Sequence, residues 1–215
     1  MLNENLLVDN YSTELITFTN PKKYNNYLIS KIKYNGDEIF IQFPKMKLTN
    51  LTKKSIELEF LSDSGYNAKV YNFLSNLDTH IIETLTKKSE DLFGKVIPGE
   101  NIKQMYNNFI KAPKTNENKC TLNFDFKLRN SELKTNIINK KNESLDLSDI
   151  KINDTLECIS QLKYIVFSKD TCFISWELIT VKVCTKKIKV QPFGFIKEIE
   201  FEEIDSDEEN LVTFF

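Results

Sequence analysis

From residue 27 to residue 34 apolar and polar side chains alternate, with Leu28, Ile32 and Tyr34 on one face and Lys31 and Lys33 on the other. That is the period-two pattern of a half-buried strand. Asn35-Gly36 follows, a dipeptide that tolerates the positive φ angles of a type I′ turn, so a hairpin into a second strand over 37–47 is predicted. A third strand is expected over 55–61, with Ile56, Leu58 and Phe60 pointing one way and Glu57 and Glu59 the other. After Gly65 the period changes. Tyr66, Val70, Phe73, Leu74, Leu77, Ile81 and Leu85 recur at three- and four-residue intervals, as an amphipathic helix requires, and Gly94 marks its latest end. A second helix is predicted over about 101–110, with Ile102, Met105, Tyr106 and Phe109 as its stripe and Pro113 closing it.

Strand alternation returns over 119–129, where Cys120, Leu122, Phe124, Phe126 and Leu128 are interleaved with polar residues. The stretch 130–149 is polar and reads as a long exposed connection with one strand near 135–139. Two long strands, roughly 156–168 and 171–184, are expected to pair as a hairpin around Lys169-Asp170. There is no internal repeat or heptad run. Strands, then helices, then strands define an α+β, mainly β, fold: a small barrel with one or two helices inserted between its strands. The division expected is an N-terminal extension over 1–24, a domain over 25–197 with helices inserted at about 66–110, and a tail over 198–215.

Charge changes this picture at the C-terminus. Residues 198–215 hold eight carboxylates, no Lys or Arg, and end in Leu211-Val212-Thr213-Phe214-Phe215, whereas residues 1–197 carry 29 basic against 23 acidic side chains, a net +6. The overall charge of −2 therefore hides a basic body with an acidic tail. Such a tail is expected to be disordered, to compete with polyanions for the basic surface, and to offer Phe214 and Phe215 to a partner protein. Arg129 is the single Arg, so lysine supplies the positive charge, a bias typical of AT-rich genomes. No segment resembles a signal peptide or a membrane span, which makes a soluble, intracellular protein the expectation. Cys120, Cys158, Cys172 and Cys184 form no C-x-x-C pair and fit apolar strand positions, so reduced thiols are expected rather than a metal site or disulfides.

Catalytic motifs are missing. Gly94 and Gly99 have the spacing of a phosphate-binding loop, but Glu100 stands where its lysine would be. The lone His80 lies within the predicted long helix without a nucleophile motif around it. No cofactor, metal or catalytic residue is expected. What remains is a basic, aromatic-rich sheet surface, and single strands are bound by cationic grooves that follow phosphates and by rings that stack on bases. The candidates are Lys31, Lys33, Phe43, Lys45, Lys47, Lys127, Arg129, Lys163, Tyr164, Phe167, Lys169, Phe173, Trp176 and Lys182, with Phe43 and Trp176 the leading stacking residues. An aromatic on a strand ordinarily packs in the core, and a lysine ordinarily faces solvent; only the combination of basic body, aromatic-ended tail and barrel-like order favours binding.

Several segments resemble one family. Tyr34-Asn35-Gly36 followed by Ile39-Phe40-Ile41-Gln42-Phe43-Pro44-Lys45-Met46-Lys47 is similar to a segment of the single-stranded DNA-binding proteins of large nucleocytoplasmic DNA viruses. In order along the chain, Tyr71 to Asp78, Leu92-Phe93-Gly94, Met105-Tyr106-Asn107, Tyr164 to Phe167 and Phe173 to Leu178 agree as well, from about residue 25 to 185. Two departures lie in loops: Leu48-Thr49-Asn50-Leu51 after the Pro-Lys-Met-Lys run, and Ser168-Lys169-Asp170-Thr171 where the family has glycines. The resemblance implies an OB-like antiparallel barrel, related to phage single-stranded DNA-binding proteins with acidic, Phe-ended tails. It also implies single-stranded DNA as partner in viral replication, recombination or repair, with replication proteins recruited through the tail. A location in host cytoplasm or viral factory, packaging in the virion and homodimer formation are all compatible with it; a membrane partner is not expected. The alternatives are a virion structural or scaffold protein without nucleic-acid binding, and an accessory factor for duplex DNA.

Overall fold

A computed structural model describes residues 6–113 and 119–184. In chain order its strands and helices are β1 (Ile16–Phe18), β2 (Lys22–Tyr24), β3 (Tyr27–Tyr34), β4 (Ile39–Leu51), β5 (Ser55–Phe60), α1 (Gly65–Lys87), α2 (Ser89–Phe93), α3 (Gly99–Met105), β6 (Tyr106–Asn107), β7 (Ile110–Lys111), β8 (Thr121–Phe126), β9 (Leu128–Arg129), β10 (Glu132–Leu133), β11 (Asn136–Asn139), β12 (Thr155–Phe167) and β13 (Cys172–Val183). Residues up to 185 form one unit by their contacts.

The pairings β4–β5, β5–β8, β8–β13, β13–β12 and β12–β4 close a ring of five strands. An odd ring cannot alternate direction all the way round, so one pair must be parallel. That pair is β8–β13, where Glu177 lies beside Asp125. The sheet is thus mixed rather than antiparallel throughout, and β6 and β11 add further parallel pairs to β13.

Alternation sorts the side chains as predicted along most strands. Ile39, Ile41, Phe43, Ile56, Leu58, Leu122, Phe124, Leu156, Trp176, Leu178 and Val181 all point inward and are buried. Phe43 meets Phe124 edge-on at 4.7 Å between ring centroids and Trp176 at 5.3 Å, and Phe109 packs on both Phe124 and Trp176. Within β4 the inward set switches from odd to even numbers between Phe43 and Met46, because Pro44 and Lys45 together face the single position of Glu157 on β12. Pro44 has no N–H to give a ladder, so the bulge is where it costs least. The same bulge drives Lys45 outward.

The Asn35-Gly36 turn forms, with both residues at positive φ and Tyr34 and Asp37 exchanging two backbone hydrogen bonds. No ladder extends from it. Instead β12 lies between β3 and β4 and pairs with both, which corrects the predicted hairpin. The tight hairpin in this region is upstream: β2 and β3 turn at Asn25-Asn26, with Tyr24 opposite Tyr27. Residues expected as an extension join the sheet through β1 and β2, and Val8 and Ile16 are buried in the core.

Helix α1 presents Val70, Phe73, Leu74, Leu77, Ile81 and Leu85 to the core, and α2 ends at Gly94, whose φ of +69° suits a residue without Cβ. The predicted second helix stops at Met105, five residues early. Buried Asp78 on α1 explains it: one carboxylate oxygen accepts the Tyr106 hydroxyl at 2.6 Å and the other accepts the Phe109 backbone N–H at 3.3 Å. This pulls 106–109 out of the helix and lays β6 along β13. Burial raises the Asp78 carboxyl to about 6, against the lowering effect of those two hydrogen bonds. The long polar connection carries β9, β10 and β11 and a short 3₁₀ turn over Leu147–Asp149. Cys158 and Cys172 are buried free thiols, Cys120 and Cys184 partly buried ones, and burial pushes Cys172 up to about 12.

Candidate nucleic-acid interface

The outer surface of the β2–β3–β12–β13 sheet is where the predicted residues converge. Cross-strand register places Lys22 opposite Ile29, Ile29 opposite Val166, and Val166 opposite Phe173 in one row. The next row is Lys31, Tyr164 and Ser175. Directly opposed residues on neighbouring strands share a face, so rings, aliphatic side chains and ammonium groups form a continuous surface here. Tyr164 and Phe173 are half-buried, enough to hold a ring steady while leaving part of it open. Tyr24 and Tyr27 extend the surface at the β2–β3 turn and are 65% and 45% exposed.

Lys163 sits in a β12 bulge and swings its ammonium to 5.3 Å from the Tyr164 ring centre and 2.7 Å from Glu177 Oε2. Lys127 approaches Glu177 Oε1 at 4.0 Å. That oxygen is buried and has no hydrogen-bond partner among the described residues. The Asp125 carboxyl beside them is held above the ordinary carboxylate value, first by desolvation and also by the Glu177 charge, against a hydrogen bond from Ser175. Beyond β13, the outward positions of β5 and β8 are Glu57, Glu59, Thr121, Asn123 and Asp125, an acidic stretch that repels phosphate.

A second basic stretch lies at the other end of the same two strands. Lys182 faces Glu157 across β13 and β12, Lys47 faces Thr155, and Lys45 projects from the bulge. Lys45, Lys140 and Lys182 all act electrostatically on Cys184, which burial otherwise pushes up. Lys140 was missed by sequence reasoning because it lies in a polar loop whose approach to β13 has no local signature.

Three predicted stacking residues are corrected. Phe43, Trp176 and Phe167 are 0%, 1% and 5% exposed, so no base can reach their faces. The signal was present: Phe43 is in phase with Ile39 and Ile41, and Trp176 with Ile174 and Leu178. Arg129 lies apart on the small β9–β10 hairpin, and Lys169 is exposed in the β12–β13 turn. That turn closes without glycine, Ser168 donating its backbone N–H to Thr171 at 2.8 Å while their hydroxyls meet at 2.7 Å. Lys33 stays on the outer side of β3 but is flanked by Thr17 of β1. Phe214 and Phe215 lie outside the described residues. His80 points a ring nitrogen at the Ile16 carbonyl, 3.3 Å away. No group of three or more His, Cys, Asp or Glu among the described residues could hold a metal ion. No helix among them is long and apolar enough to cross a membrane.

The chain thus forms a mixed five-stranded ring with helices inserted after its second strand and a lysine-and-ring surface on one hairpin. The chain belongs to a family of unknown function, DUF5871, whose model matches residues 45–209. No curated protein matches it. Among solved structures it is similar to the single-stranded DNA-binding protein from bacteriophage Enc34, at 17% identity over 89% of this chain and 98% of that one, with a TM-score of 0.47. The same phage protein in complex with ssDNA gives 18% identity over 82% and 98%, with a TM-score of 0.46. gp2.5, a single-stranded DNA binding protein encoded by bacteriophage T7, gives 7% identity over 75% and 100%, with a TM-score of 0.49.

Proposed function

We propose that this chain is a non-catalytic single-stranded DNA-binding protein built on an OB-type barrel. The observation that carries the reading is the pair of cross-strand rows, Lys22–Ile29–Val166–Phe173 and Lys31–Tyr164–Ser175, which sets ammonium groups beside half-open rings on one sheet face. Rings that stack and cations that follow a backbone are what an unpaired strand requires, and a duplex keeps its bases out of their reach. The strand order around the ring supports the OB assignment: first, second, third, fifth, fourth, with the third and fifth parallel. OB barrels commonly use the outer face of their second and third strands, but here that face bears Glu57, Glu59 and Asp125. The DNA path therefore shifts toward the β12–β13 hairpin and β3, with Lys45, Lys47, Lys140 and Lys182 as a further run of phosphate contacts.

The resemblance of the Tyr34–Lys47 segment to proteins of large nucleocytoplasmic DNA viruses supports a viral replication, recombination or repair setting in the host cytoplasm or viral factory. In this reading the tail over 198–215 competes with DNA for the lysines and recruits replication proteins through Phe214 and Phe215. The test is a titration of single- and double-stranded oligonucleotides of equal length at two salt concentrations. The single strand binds tighter, with log K falling against log salt by roughly 0.7 for each phosphate neutralised. Equal affinity for the duplex refutes the single-strand reading, and no affinity for either would return the chain to the scaffold class.

A further inference from the structure

The geometry points to Glu177 as an internal stand-in for DNA phosphate, holding Lys163 and Lys127 in reserve until a strand displaces it. This rests on the single-stranded DNA reading above and concerns how that site is regulated. Glu177 is on the outer side of β13, two residues from Ser175 and hence one row from Lys31 and Tyr164. Its two oxygens engage two different lysines from two different strands or loops: Lys163 at 2.7 Å and Lys127 at 4.0 Å. The carboxylate side chain is 16% exposed while Lys127 is 45% exposed and Lys163 28%, so the anion is the recessed partner and the cations are the more exposed ones.

Two features make the pairing displaceable rather than permanent. Lys127 is too far from Oε1 for a hydrogen bond, and that oxygen has no other partner among the described residues. Both ammonium groups are on long flexible stems, and Lys127, the more exposed of the two, makes a long pairing that gains little net energy. A phosphate arriving over Tyr164 offers each lysine a solvent-facing anion in place of the recessed one. Lys163 then moves only from the inner to the outer side of the Tyr164 row. In the free protein the same carboxylate neutralises the rim and keeps the face from attracting unrelated polyanions.

The experiment is a double-mutant cycle on the full chain, read as the affinity for a fluorescent oligothymidine and as its salt dependence. Glu177→Gln keeps the shape and the hydrogen-bonding reach of the side chain and removes its charge. The single substitution raises affinity at low salt by about five- to tenfold, and steepens the salt slope by up to roughly 1.4, two phosphates' worth. In a Lys127→Gln/Lys163→Gln background, Glu177→Gln then changes neither quantity beyond what the control Glu59→Gln does. Glu59 points outward from β5 opposite Lys47 and makes no ion pair among the described residues, so it reports the loss of a carboxylate near a lysine that it does not hold. A Glu177→Gln gain that is equal in both backgrounds, or equal to that of Glu59→Gln, overturns the proposal, since nothing is then being held. A loss of affinity also overturns it and makes Glu177 a direct DNA contact. Wild-type protein that fails to bind while Glu177→Gln binds supports the proposal; failure of both sinks the DNA reading as well, whereas wild-type binding with an unchanged Glu177→Gln sinks only this inference. Thermal unfolding of each variant confirms that the fold is retained.

Discussion

The contribution of buried Asp78 to stability should fall as pH rises through the mildly acidic range. Its carboxyl goes from an ordinary value of 3.8 to about 6 in the folded protein, chiefly because burial penalises the charged form. Between these two values the unfolded chain has given up this proton and the folded chain still holds it. Native protein therefore binds more protons, and stability drops with increasing pH until the folded group has also ionised. The gap corresponds to about 3 kcal/mol if fully realised. Asp78→Asn removes the titration while keeping one acceptor for the Tyr106 hydroxyl; its amide nitrogen then meets the Phe109 N–H, losing that bond at a cost of about 1 kcal/mol. Denaturant unfolding of both proteins at a series of pH values from 4.5 to 8 is the assay. The other carboxylates titrate in both chains and cancel in the difference. Relative to Asp78→Asn, the wild type should lose about 2 kcal/mol across the series, the other ~1 kcal/mol of the gap lying below pH 4.5, with most of the change complete by pH 7. Parallel curves would refute the reasoning and mean that Asp78 is better hydrated than its position against Tyr106 and Phe109 implies.

Three further outcomes follow from the candidate interface. Tyr164→Ala and Phe173→Ala each weaken single-strand binding by about 1–3 kcal/mol with the fold intact, whereas Trp176→Ala destabilises the fold by about 3–5 kcal/mol; equal losses of binding at matched stability for all three would remove the stacking assignment. Replacing Lys45 and Lys47 together with Ala weakens binding of every sequence alike and lowers the salt slope by up to about 1.4, and an unchanged slope assigns them to solvent. Deleting residues 198–215 raises apparent affinity most at low salt, while deleting Phe214 and Phe215 alone leaves DNA affinity in place and abolishes capture of a replication partner; a truncated chain that binds no better than the full one ends the competition idea.

How far the sequence could be followed differed element by element. The Asn35-Gly36 turn was legible because few residues accept two successive positive φ angles, yet the ladder expected from it was not formed. The backbone groups of β3 and β4 bond instead to β12, more than a hundred residues later. The stripe through Tyr106 and Phe109 suited a helix equally well until Asp78, nearly thirty residues earlier, supplied acceptors that reward leaving it. Phe43 and Trp176 show the reverse: their alternation already pointed inward, and their chemistry as good stacking rings argued wrongly against their phase. Among the candidate interface residues, Lys31, Lys163, Tyr164 and Phe173 were legible as strand residues, but their shared face was not. Lys22, Tyr24 and Lys140 were missed because nothing local tells a loop or a three-residue edge strand which sheet it will join, and Tyr27, at the start of the predicted β3, was missed because its neighbours on β2 were.

Local pattern by itself determined most of the segments that extend or coil, where the chain turns at Asn35-Gly36, and which side of most strands meets the core, because these depend on period, φ preference and side-chain size within a few residues; it did not determine β1 and β2, the end of α3 at Met105 or the change of phase within β4. It also determined the uneven charge, a basic body and an acidic end. Only tertiary structure decided that five strands close into a ring with one parallel pair, that β12 separates β3 from β4, and that Glu177 from one strand faces lysines from two other segments. Pairing partners, and with them the neighbours on a sheet face, are chosen by hydrogen bonds and packing between residues far apart in the chain, whose relative positions no local period encodes.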